Sequence, residues 1–96
     1  MSTEASPLNI VHKPDIGRFE AIVEGLRCEA DYRLDGRVVR MTHTGVPTQL
    51  EGRGIAAALV KTALQWARVQ GYKVDPICSY VHIYIRRHPE WQDLVA

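Results

Sequence analysis

Gln49-Leu50-Glu51-Gly52-Arg53-Gly54-Ile55-Ala56 joins two halves of this 96-residue chain that follow different periodicities. Two glycines in three positions let the backbone curl tightly and bring its N–H groups close to a ligand. Residues 54–70 read as one helix. Its first turn presents unpaired N–H groups and the positive end of the helix dipole at that same point. Such a junction binds a phosphate or pyrophosphate without a lysine.

Downstream of the junction the period is helical. Lys61, Gln65 and Arg68 form a narrow polar stripe. Ile55, Ala56, Leu59, Val60, Ala63, Leu64, Trp66 and Ala67 fill the rest of the wheel. So wide an apolar arc predicts a helix largely buried against a sheet. Gly71 ends it. Residues 72–75 read as a short strand stopped by Pro76, which cannot donate to a ladder. A second helix is expected from Cys78 or Ser79 to Arg87, where Val81, Ile85 and His88 share a face and Pro89 forbids continuation. Trp91, Leu94 and Val95 form an apolar tail expected to pack back.

Upstream the period is two. Residues 8–12 are a short possible strand before Pro14, residues 18–23 a second, and Glu24-Gly25 a turn. In residues 28–34, Cys28, Ala30, Tyr32 and Leu34 alternate with Glu29, Asp31 and Arg33, as in a half-buried antiparallel strand. Asp35-Gly36 predicts a two-residue hairpin turn. Residues 37–43 run back, with Val39, Met41 and His43 on one side. The order is β-β-β-β-α-β-α, an α/β (α+β) chain with a mostly antiparallel sheet.

Composition narrows the class. The length fits one domain, residues 8–96, after a tail at residues 1–7. Net charge is +1 with acids and bases interspersed, unlike a nucleic-acid surface with its clustered basic face. No run spans a membrane, and the first residues lack the basic and apolar regions of a secretory signal. The two cysteines, Cys28 and Cys78, are far apart and lack metal spacing. These features predict a cytoplasmic protein with free thiols, no metal, and no nucleic-acid or membrane partner.

The glycine loop admits three readings beyond a plain strand-to-helix turn. Gly52-Arg53-Gly54-Ile55-Ala56-Ala57 formally fits G-x-G-x-x-(G/A), with Asp75 about 20 residues on. A nicotinamide-dinucleotide fold, however, wants that first glycine straight off a buried parallel strand, and here Gly45 to Glu51 intervene after an antiparallel one. A Walker loop is excluded because Gly-Lys-Ser/Thr is absent. Third, Gln49-x-x-Gly52-x-Gly54 resembles the (Arg/Gln)-x-x-Gly-x-(Gly/Ala) signature of the GNAT superfamily of acetyl-CoA-dependent N-acetyltransferases. His43-Thr44-Gly45-Val46-Pro47, the stretch from Val74 through Cys78 to Val81, and Tyr84-Ile85-Arg86-Arg87-His88-Pro89-Glu90-Trp91 extend the likeness to a very small, single-domain GNAT-like subfamily. It covers about the last two thirds of the chain, and more loosely the strands before. Gly45 departs from the pattern, in which a larger residue, often Glu, stands there.

The resemblance implies a GNAT-like twisted sheet whose fourth and fifth strands splay apart around the cofactor. It implies acetyl-CoA or coenzyme A held by Thr44, Val46, Gln49, Leu50, Glu51, Gly52, Arg53, Gly54, Ile55, Ala56 and Cys78. Backbone N–H groups between Leu50 and Ile55 would meet the pyrophosphate. Pantetheine would pair with backbone near Thr44 to Val46, and the thioester would point toward Cys78. The reaction would be acetyl transfer to an amine, small molecule or protein, by a monomer or weak homodimer. Tyr80 or Tyr84 would protonate the departing thiolate.

Three readings stand for Cys78 at its helix start. It accepts the acetyl group itself, it lines the thiol end of the channel, or it packs the helix as an inert thiol. His43 reads as a general base or as a hydrogen-bonded core residue. Arg53, Lys61, Arg86 and Arg87 are candidates for the 3′-phosphate or are solvated charge. His82 and Arg86, one turn apart, read as solvated. With only Pro14-Asp15-Ile16-Gly17 between the first two strands, the acceptor side is open, completed by another subunit, or absent. A non-catalytic CoA-binding or interaction module is therefore the second function class.

Overall fold

A computed structural model describes residues 8–96. Residues 1–7, read above as a tail, lie outside the described residues. The elements are β1 (Val11–Lys13), β2 (Arg18–Val23), β3 (Leu26–Asp35), β4 (Val38–Gly45), α1 (Ile55–Gln70), β5 (Lys73–Pro76) and α2 (Ser79–Arg87). Short 3-10 segments occupy Thr48–Leu50 and Pro89–Leu94. The strands form one sheet in chain order, antiparallel from β1 to β4 and parallel between β4 and β5. This is the expected α+β order, not the doubly wound sheet of a dinucleotide domain.

Turn chemistry sets the meander. Val23 pairs with Leu26, so Glu24 and Gly25 are the central turn residues, with φ of 53° and 77°. Positive φ at both positions matches the right-handed twist of the flanking strands. The next turn differs from expectation by one residue. Asp35 pairs with Val38, which makes Gly36 and Arg37 central. Gly36 alone has positive φ, 61°. Glycine leads that turn and no second left-handed residue is needed.

A bulge revises the face of β4. Tyr32 lies opposite Met41 and Asp31 opposite His43, which leaves Thr42 as an extra residue. An extra residue exchanges the two faces of everything beyond it. Val39 and Met41 point into the core as predicted, but His43 turns outward beside Glu29 and Asp31. Thr44 turns inward, opposite Ala30.

The wide apolar arc of α1 buries Ile55, Leu59, Val60, Ala63, Leu64 and Ala67 against the sheet. Gly71 closes it at φ 77°, its N–H donating to Arg68 O and that of Tyr72 to Ala67 O. Trp66 meets His12, Phe19, Tyr32 and Tyr72 at centroid distances of 4.8, 5.7, 5.1 and 5.5 Å. The start of α2 lies beside the start of α1, since Ala57 shares a groove with Tyr80 and Tyr84. Trp91 and Leu94 of the tail are buried, and Val95 bridges Val74 at the edge of β5. Both helices thus cover one face of the sheet. The other face carries Arg18, Glu29, Asp31, Arg40 and His43. No helix of the described residues is long and apolar enough to cross a membrane.

Candidate functional site

Strands β4 and β5 run together only from Val38↔Lys73 to Met41↔Pro76. Cys78 N–H then donates to Met41 O at 2.8 Å, and the chain turns away into α2. Strand β4 continues to Gly45 paired with β3 alone. The strands part there, and a cleft of ≈ 490 Å³ opens at the parting. Thr44, Gly45 and Val46 form one wall, Leu50, Glu51, Gly52 and Gly54 the mouth, and Ile55, Ala56 and Ala57 the floor. Tyr80 of α2 stands opposite.

The loop is held rigidly and left open at its tip. Leu50 is wholly buried and anchors the 3-10 segment in the core. Gly52 and Gly54 take φ of 84° and 79°. A Cβ built at either would meet no atom within 4 Å. Glycine serves the backbone path here rather than close packing, and it keeps the amides accessible. No side chain caps α1, and its first turn contains no acidic residue. The bond from Ala58 N–H to Gly54 O, 3.0 Å, opens the helical ladder. The amides of Ile55, Ala56 and Ala57 therefore precede the ladder at the cleft with the positive end of the dipole behind them. This geometry suits a phosphate or diphosphate.

The candidate residues separate. Thr44, Val46, Leu50, Glu51, Gly52, Gly54, Ile55 and Ala56 line the cleft. Gln49 is exposed and not in its wall. Arg53 points away, ion-paired to Glu24 at 2.6 Å, and ties the loop to the β2–β3 turn. Asp75 faces Arg40 at 3.7 Å, far from the role of a ribose ligand. Cys78 sits half-buried behind the wall, its Sγ 3.6 Å from Thr44 Oγ1. Burial pushes this thiol up. The amide of Val81, the Thr44 hydroxyl and the amide of Tyr80 more than offset that and bring it below the ordinary value. The amides act through their field, since no side-chain cap hydrogen bond forms at the start of α2.

The two tyrosines are not equivalent. Tyr80 is 39 % exposed and lines the cleft, whereas Tyr84 is buried and stacks on His88 at 4.1 Å. Burial raises both phenols, and Glu90 adds to the effect on Tyr84. Beyond Tyr80 and Ala57 the cleft runs into a second groove that includes Ile83, Arg87 and His88. Of the four cations considered for a 3′-phosphate, Arg87 alone lines that groove; Lys61 and Arg86 are exposed elsewhere.

His43 lies outside the cleft on the polar face, with Nε2 3.2 Å from Glu29 Oε2. Glu29, Asp31 and His43 bring their ligating atoms within 4.8 Å of one another. Arg18 holds Asp31 at 2.7 Å and Arg27 holds Glu29 at 3.1 Å, a cationic setting that disfavours a metal ion. Sequence reasoning missed Ala57 in the cleft floor and Glu29 beside its rim. The first is the last residue of the Gly52–Ala57 glycine pattern. The second depends on cross-strand register, which no local motif specifies.

Comparison with known proteins bears on this geometry. A family model described as GCN5-related N-acetyl-transferase matches residues 18–94. Protein NATD1 of Homo sapiens is 38% identical over 89 residues, covering 90% of this chain and 79% of that protein. Protein NATD1 of Mus musculus is 30% identical over 89 residues, covering 90% and 81%. Among solved structures, the NMR solution structure of a GCN5-like protein from Staphylococcus aureus aligns with a TM-score of 0.75 at 26% identity. That alignment covers 96% of this chain and 91% of the other.

Proposed function

The chain belongs to the GCN5-related N-acetyltransferase family, and from that premise we propose that its cleft holds acetyl-CoA and that the protein transfers the acetyl group to a primary amine. One observation carries the reading: the uncapped start of α1 opens on the gap where β4 and β5 part. The amides of Ile55, Ala56 and Ala57 meet the pyrophosphate. The chain that β5 leaves unpaired, Thr44 and Gly45 of β4 and Val46 just after it, takes the pantetheine amides as an added strand would. Arg87 in the adjoining groove is placed for the 3′-phosphate. Arg53 holds loop geometry through Glu24 instead of touching the cofactor.

The chemistry is direct attack of a neutral amine on the thioester. Backbone N–H groups where the strands part stabilise the developing oxyanion. Tyr80 supplies a proton to the departing sulfur. Thr44 lines the inner end, with Cys78 directly behind it. A second reading, CoA binding without catalysis, draws on the four-residue connection from Pro14 to Gly17. It provides no element over the sheet face that an acceptor would approach.

A titration with acetyl-CoA, followed residue by residue by NMR and by calorimetry, tests the proposal. Saturable shifts are expected at the cleft wall, the loop and Cys78. Gly54→Val abolishes binding, because its side chain enters the path of the diphosphate. Gly36→Val is the control: it forces the same left-handed strain, on the order of 1–3 kcal/mol, in equally open space far from the cleft. A wild-type protein with no saturable complex at millimolar cofactor sinks the proposal. Binding without free-thiol release from a panel of amines and peptides favours the second reading. Displacement by NAD as effective as by CoA would revive the dinucleotide reading.

A further inference from the structure

Gly45 is the one cleft residue whose missing side chain leaves a gap filled by ionisable groups from elsewhere. A Cβ built on it would lie 2.9 Å from His43 Nε2 and 3.3 Å from Glu29 Oε2. Glu29 is its direct cross-strand partner. The carboxylate of Glu29 is divided in its contacts. Oε1 is held by Arg27 at 3.1 Å and by Arg18 at 3.9 Å. Oε2 meets His43 and faces Gly45, a wall residue of the cleft. One oxygen is thus fixed while the other is directed to the rim where β4 and β5 part. Any side chain at position 45 would stand between them.

Resting on the acetyl-transfer reading above, we infer that Glu29 is the proton acceptor of the reaction and His43 its positioning residue. The acceptor approaches over the polar face, which no helix of the described residues covers. Its nitrogen bonds to the acetyl carbon, and the carbon–sulfur bond then breaks. The nitrogen is cationic after attack and therefore acidic, so its proton passes readily to a carboxylate. The N–H proton passes to Glu29 Oε2, directly or through one water. The sulfur leaves as thiolate and takes its proton from Tyr80, and solvent returns the proton of Glu29 to Tyr80. His43 donates Nε2–H to Oε2 and keeps that oxygen aimed at the rim. Arg27 from the same strand, Arg18 from β2, Glu20 directly across on β2 and sharing Arg18 at 3.8 Å, Asp31 next along β3 and His43 from β4 are the charged or titratable groups facing the carboxylate.

The test uses the full chain, acetyl-CoA as donor, and spermidine and lysine amide as acceptors, with thiol release as readout and calorimetry alongside. Glu29→Gln is expected to lower kcat/KM about 100-fold while leaving acetyl-CoA affinity unchanged. Gly45→Glu in the Glu29→Gln background places a carboxylate at the same point from the opposite strand and restores much of the rate. A purely structural loss would not respond this way. His43→Gln lowers kcat with KM nearly steady, as loss of a group that only aims the carboxylate should. Turnover of Glu29→Gln equal to wild type, no recovery in the double variant, or a wild type that binds acetyl-CoA yet releases no thiol overturns the inference. A wild type that binds no acetyl-CoA removes the underlying reading instead, and calorimetry identifies that case.

Discussion

The two cysteines show how far one residue type diverges with its surroundings. Cys28 is fully buried, and burial followed by the charge of Glu29 pushes its thiol up. Cys78 starts from the same desolvation, but the field of a helix start and the Thr44 hydroxyl bring it down. The thiolate is the reactive form. Iodoacetamide should therefore modify Cys78 first, with its half-maximal rate at a pH below the ordinary thiol value of 9.0. Cys28 should stay silent until the protein unfolds. Acetyl-CoA should slow the labelling of Cys78, because the thiol stands behind the wall of the proposed channel. Mass spectrometry of the labelled peptides across a pH series checks all three. In the direct-attack scheme Cys78→Ala keeps its turnover. Loss of turnover with cofactor affinity intact would show that the acetyl group passes through the sulfur.

Strand β1 is the element most exposed to pH, since three residues hold it to the sheet edge. His12 stacks on Phe19 at 4.0 Å and pairs Nε2 with the Tyr32 hydroxyl at 2.6 Å. Burial lowers its pKa below 6.5. The unfolded chain thus takes up the proton first as pH falls below 6.5, and stability declines until the depressed native value is passed. Melting temperatures of wild type and His12→Gln, compared from pH 7.5 to pH 5, should converge as pH falls. A constant gap would show that His12 takes up its proton equally in the folded and unfolded chains. Elements of this kind were readable in the chain to different depths. The alternation of Cys28, Ala30 and Tyr32 and the apolar arc of α1 announce strand and helix, because burial leaves a period in the sequence. The bulge at Thr42 leaves no mark in residue type, since Thr42, His43 and Thr44 are all polar enough for either face, and plain alternation from Val39 and Met41 places His43 inward. Which tyrosine of α2 faces the cleft depends on where that helix lies along α1, and three-residue or four-residue spacing carries no such information.

At the scale of the molecule, the described residues cover the sheet on one side, and the closing contact is made by the last described segment. Trp91 is buried under the guanidinium of Arg68, 4.7 Å from the ring centroid. Arg68 also holds Glu90 O at 2.9 Å, and Lys73 holds Asp93 O at 2.8 Å. The tail then bridges Val74 through Val95, and Ala96 N–H donates to Val74 O. The site lies at the other end of the same helix: α1 begins at the cleft, and Arg68 is in its last turn, roughly 20 Å away at 1.5 Å per residue. Trp91→Ala should cost about 3–5 kcal/mol through its cavity, a large part of the roughly 5–15 kcal/mol that holds a domain of this size together. The cleft itself touches none of these groups. Native Trp91→Ala should therefore bind acetyl-CoA with its intrinsic affinity intact, and saturating ligand should return about 2.7 kcal/mol at a hundredfold excess over Kd. Denaturant melts with and without cofactor measure both quantities. Equal ligand stabilisation in wild type and variant would show that tail and cleft are independent parts of one cooperative fold. A smaller gain in the variant would mean that α1 transmits the loss of its far anchor to the amides at its start.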